Sequence, residues 1–110
     1  MADAKVSDAF KALSDPVCRE LLAAIGEGEA TVSELVERTA MSQPQVSKHL
    51  GVLKEAGLVR VRPQGKWRYY SVDGRAFRQV LEWLERFTAA WNERLDRLED
   101  VVAALEEEEP

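Results

Sequence analysis

Cysteine and histidine each occur once, as Cys18 and His49, in a chain of 110 residues. A lone cysteine cannot close an intramolecular disulfide, which fits a reducing compartment. One thiol and one imidazole also fall short of the three or four soft ligands that a selective metal site gathers. His49 has no nucleophile or carboxylate at a catalytic spacing, and no phosphate loop, nucleophile elbow or paired-acid constellation occurs elsewhere. The sequence therefore argues against an enzyme, with no catalytic residues, cofactor or metal ligands expected. No apolar run approaches the roughly 20 residues that span a bilayer. The opening MADAKVSDAF lacks the basic stretch and apolar core of a signal peptide, so no membrane partner is expected and the cytoplasm is the expected place.

What remains fits one core, too short a chain for two independent domains. The expected layout is a single domain over residues 1–105 and an acidic tail over 106–110. The net charge of −5 hides a split. From Ser42 to Arg68 there are six cations (Lys48, Lys54, Arg60, Arg62, Lys66 and Arg68) against one anion, Glu55, so this segment carries +5 and the remainder −10. Salt screens charges beyond about 8–10 Å, so a distant acidic face hardly weakens a basic one.

Val6, Phe10 and Leu13 follow helical spacing and predict a short first helix. Ser14 or Asp15 then caps a second helix opened by Pro16, and Gly26 with Gly28 ends it. Thr31 with Glu34 is a capping-box pattern opening a third helix to about Arg38. Ser42 with Gln45 repeats it for a fourth, which runs to Ala56 and stops at Gly57. Leu58–Arg62 and Trp67–Val72 read as strands, with Pro63, Gln64 and Gly65 as the turn. Trp67 is expected to cover the core, and of Tyr69 and Tyr70 one should face inward.

From about Asp73 a last helix reaches near Leu105, a span on the order of 48 Å. Phe77, Leu81, Leu84, Thr88, Trp91, Leu95, Leu98, Val102 and Leu105 alternate four and three apart, the spacing of a helix–helix seam. Val80, Trp83 and Phe87 widen the stripe in the first half only. That half is expected to pack on the body and the second half to pair with another chain, because one isolated helix would leave large apolar side chains in water. The expected dimer residues are Phe10, Leu84, Trp91, Leu95, Leu98 and Val102.

The fold class is thus mainly α with a small β-hairpin (α+β): a winged helix-turn-helix with a long C-terminal dimerisation helix. On the fourth helix Val46, Leu50 and Leu53 point one way, and Gln43, Gln45, Ser47, Lys48 and Gly51 elsewhere. Glutamine suits adenine, and Ser or Lys suits guanine or phosphate. Gln43, Gln45, Ser47, Lys48 and His49 are therefore the expected reading residues. Arg62, Lys66 and Arg68, around the hairpin turn, are expected on backbone or minor groove. The expected partner is a double-stranded DNA operator.

KALSDPVCRELL, TVSELVERTAMSQPQVSKHLGVLKEAGLV and GKWRYYSVD resemble, in order, the ArsR-type family of bacterial and archaeal repressors. EWLERFTAAWNERLDRLEDVV is similar to the branch of SdpR-type autorepressors, which lacks metal sites. The resemblance implies a homodimer, joined by first and last helices, that represses from a palindromic operator. It also places Thr31 and Ser33 where metal-sensing members carry a Cys-x-Cys motif, which argues against metal sensing. Two alternatives stand beside this reading. One is a winged-helix adaptor for protein partners. The other is a repressor released by an unidentified small molecule bound between dimer helices, near Trp83, Phe87 and Trp91. Cys18 is expected to be a small filler rather than a redox switch.

Overall fold

The computed structural model describes residues 2–107, and their side chains from Val6 onward. The order is α1 (Ala2–Ser14), α2 (Pro16–Ile25), β1 (Glu29–Ala30), α3 (Val32–Thr39), α4 (Gln43–Glu55), β2 (Val59–Gln64), β3 (Trp67–Val72) and α5 (Gly74–Glu107). Residues up to Val80 form one compact unit, and those from Leu81 a second, helical one. No helix among the described residues is long and apolar enough to cross a membrane.

Helix boundaries follow from local hydrogen bonding. Asp15 caps α2 by accepting from the Val17 N–H at 2.8 Å, with Pro16 in the first turn where its missing N–H goes unneeded. Thr31 and Glu34 complete a reciprocal capping box on α3. Those same bonds hold the Glu34 carboxyl below its ordinary value, the Thr31 N–H first and its hydroxyl second. Replacing Thr31 with alanine should cost about 1 kcal/mol, read as a lower chemical-denaturation midpoint. The same variant should raise the Glu34 carboxyl only part of the way towards its ordinary value, because alanine keeps the N–H that lowers it most.

On α4, Ser42 accepts from the Gln45 N–H, one half of the box the sequence suggests. Its far end is a Schellman closure: the Gly57 N–H donates to Lys54 O and the Leu58 N–H to Leu53 O, with Gly57 at φ 77. Leu53 and Leu58 meet in the core beside that turn. Between α3 and α4 the turn passes through Ala40 at φ 60, a left-handed position that usually favours glycine.

Leu21, Leu35, Val46, Leu50, Leu53, Leu58 and Cys18 are the largest fully buried side chains. Burial pushes the Cys18 thiol up, and Asp15 adds to the rise, so its reactive thiolate is disfavoured. First-helix packing uses smaller residues than the apolar spacing suggests: Ala9 and Ala12 are buried, while Phe10 and Leu13 pack partly against the core.

The sheet is antiparallel in the order β1-β3-β2. Its turn is shorter than the sequence reading. Pro63 and Gln64 belong to β2, and the loop is only Gly65–Lys66, with Gly65 at φ 61, as a type II′ hairpin needs. Proline fits because β2 is an edge strand. Trp67 is also not in the core; it is 47% exposed. It pairs with Gln64 on the sheet face shared by the Arg62–Tyr69 and Arg60–Ser71 pairs, opposite the face of Val59, Tyr70 and Val72.

A third correction concerns α5. Asp73 caps it, accepting from the Arg75 N–H at 3.0 Å, but body packing stops early. Only Val80 is buried, with Ala76 and Phe77 partly so. Leu81, Trp83, Leu84 and Phe87 are exposed in the single chain, as are Trp91, Leu95, Leu98, Val102 and Leu105. Periodicity marks an apolar stripe without saying what covers it. Glu106 and Glu107 complete α5 instead of beginning a tail, and residues 108–110 lie outside the described residues.

Candidate nucleic-acid interface

The buried side of α4 is Val46, Leu50 and Leu53, one helical stripe that fixes how the helix lies on the body. The opposite side then has to be polar. Gln43, Gln45, Ser47, Lys48 and Gly51 are all exposed there. The first turn adds the positive end of the helix dipole, but little free N–H: Pro44 has none and the Gln45 N–H is taken by the Ser42 hydroxyl.

His49 has partners inside the molecule. Its Nδ1 lies 2.8 Å from the Gln45 carbonyl oxygen and its Nε2 3.4 Å from the Asp15 carboxylate, and the side chain is 14% exposed. It thereby ties α4 to the residue that caps α2. Nothing in the sequence marks Asp15 as that partner, since the two are far apart in the chain.

The hairpin cations are not equivalent. Arg62 makes a two-pronged pair with Glu29, Nε to Oε2 at 2.9 Å and Nη2 to Oε1 at 3.0 Å, while its guanidinium lies 4.7 Å above the Tyr69 ring. The Arg62 hydrogen bond holds the Glu29 carboxyl below its ordinary value, and Glu29 raises Arg62 in turn. Lys66 lies over the Trp67 ring, 5.3 Å from its centroid. Among the described residues, no ion pair holds Lys48, Lys66 or Arg68. Arg60 is 3.9 Å from Asp73, whose carboxyl is held below its ordinary value chiefly by Arg75.

The Thr31 hydroxyl is spent on the α3 cap. Along α5, Trp83 stacks on Phe87 at 5.6 Å and Phe87 leans on Trp91 at 6.0 Å, an exposed aromatic row one helical turn per step. Among the described residues, no three His, Cys, Asp or Glu side chains gather as a metal site.

Known proteins share this fold. A family model described as a helix-turn-helix domain matches residues 13–62. The transcriptional repressor SdpR of Bacillus subtilis (strain 168) is 30% identical over 82 residues, covering 74% of this chain and 91% of that protein. An ArsR-like transcriptional regulator from Rhodococcus sp. RHA1 aligns with a TM-score of 0.72 at 31% identity, over 89% of this chain and 92% of that one. The homodimeric winged helix-turn-helix DNA-binding domain of Mb0332 from Mycobacterium bovis, a possible ArsR-family regulator, aligns with a TM-score of 0.61 at 26% identity. That match covers 86% of this chain and 84% of the other. The chain belongs to the ArsR-type family of winged helix-turn-helix transcriptional repressors.

Proposed function

We propose that two copies of this chain pair and bind a palindromic operator, with α4 in the major groove and the β2–β3 hairpin on the flanking backbone. The observation that carries this is the exposed polar side of α4, which runs from Gln43 to Lys48 while Val46 and Leu50 anchor the helix from behind. Gln43, Gln45 and Ser47 supply base-edge donors and acceptors, and Lys48, Lys66 and Arg68 supply charge for phosphate. Arg62 joins them only by leaving Glu29. His49 acts from behind, tying α4 to the cap of α2 through Asp15.

Pairing runs through Leu84, Trp91, Leu95, Leu98 and Val102 of α5, with Phe10 of α1 as a second contribution. The homodimeric neighbour supports this, and so does a stripe that is open in one chain. The domain in this reading spans 1–105, with α5 as its dimerisation helix. Metal does not drive release in this reading, because Thr31 and Ser33 bring hydroxyls where thiolates would be needed and Thr31 is engaged in its cap.

Footprinting on DNA upstream of the chain's own gene tests the whole. Two dyad-related protected half-sites should appear, centred roughly 34 Å apart, one helical turn. Protection of a single half-site, or a complex indifferent to salt, would count against the reading.

A further inference from the structure

The tip of the hairpin carries a residue that the fold does not explain. All seven residues from Arg62 to Arg68 are exposed, so this end of the hairpin contributes nothing to the core. Yet Trp67, the largest side chain there, stands out on the outer face beside Gln64. The tip contains no anion, and its two unpaired cations, Lys66 and Arg68, flank Trp67 in sequence. A half-exposed indole with the Lys66 ammonium over its ring, and Arg68 on the other face of the same strand, is poor cover for a core and a poor surface for a cationic partner. It matches the composition of wedges that enter a minor groove while neighbouring cations hold the two backbones.

We infer that Trp67 is a minor-groove contact, its indole packing on sugar and base edges beside the half-site read by α4. This rests on the operator-binding reading above. The type II′ turn at Gly65–Lys66 is only two residues long and so fixes the register, and with it the sheet face, on which Trp67 stands. The Lys66 ammonium lies 5.3 Å from the ring centroid, a contact for which DNA phosphate would compete.

The signature separates this role from a structural one. An indole contact carries affinity without neutralising phosphate, so its loss should leave the salt dependence alone. Trp67→Ala should weaken operator binding on the order of tenfold with an unchanged slope of log affinity against log salt, whereas Lys66→Ala, lost from both copies, should lower that slope by about 1.8. Trp67→Phe should recover most of the affinity. The control lies in the DNA: on a duplex trimmed to end just inside the wing contact, parent and Trp67→Ala should bind equally. Equal binding on the full operator would overturn the inference while leaving the operator reading intact. An effect that persists on the trimmed duplex would overturn it too, since it would then come from folding. A parent chain that forms no salt-sensitive, sequence-selective complex overturns both.

Discussion

Replacing Leu95 with glutamate should split the dimer. Leu95 lies in the middle of the α5 stripe and is 51% exposed in one chain, so its burial depends on a second copy. Each lost leucine removes about 1.5–3 kcal/mol of apolar burial, and a two-fold dimer loses two of them. The carboxylates add a desolvation penalty of several kcal/mol per ion when no partner compensates them. A dissociation constant weaker by at least about 10³-fold is therefore expected. Sedimentation velocity should show a monomer at concentrations where the parent is dimeric. Arg86 faces away from the stripe at this helical spacing, and Arg86→Ala should leave the sedimentation unchanged. If Leu95→Glu sediments like the parent, α5 is not the interface. Leu95→Met, which keeps volume and apolarity, should cost less than about 1.5 kcal/mol.

Removing Lys48, Lys66 and Arg68 together should abolish useful operator affinity while leaving the fold intact. None of the three is held in an ion pair among the described residues, and all are exposed. Two copies would lose six phosphate contacts, each worth a slope of about 0.9 in log affinity against log salt. At physiological salt this amounts to a loss on the order of 10³-fold or more. Gel shifts between roughly 50 and 200 mM salt would read both the loss and the flattened slope. Thermal unfolding should be nearly unchanged, because exposed charges away from special features matter little to stability. Normal regulation by the triple-alanine chain in cells would favour the competing view, an adaptor that uses the winged-helix body to hold proteins.

Much of the fold is written in short-range signals. The Thr31–Glu34 box spans three residues, and the Gly57 closure of α4 needs only its own last turn. Such features are local and therefore legible. The inward set Val46, Leu50 and Leu53 was equally plain, and with it the polar side of α4. What escaped is long-range. Glu29 grips Arg62 across 33 residues, from a strand only two residues long that carries no periodic signal. The Asp15–His49 contact joins two helices by tertiary packing alone. Trp67 was misplaced because aromatic strand residues favour pleated, half-buried surfaces. Here the hairpin runs past the core before the tryptophan is reached. Pro63 looked like turn chemistry for a related reason, since the sequence does not say which strand will be at the edge.

The open stripe on α5 also bears on control. A surface completed only by a second copy makes assembly follow mass action, so the active species varies with the square of protomer concentration while monomers dominate. Under the proposed pairing, operator occupancy rises more steeply than the amount of protein. A gene repressed by its own product would then stay open at low levels and close over a narrow range. The strength of the α5 seam would set that threshold, and a conservative change such as Leu98→Val would move it without touching a single residue that meets DNA.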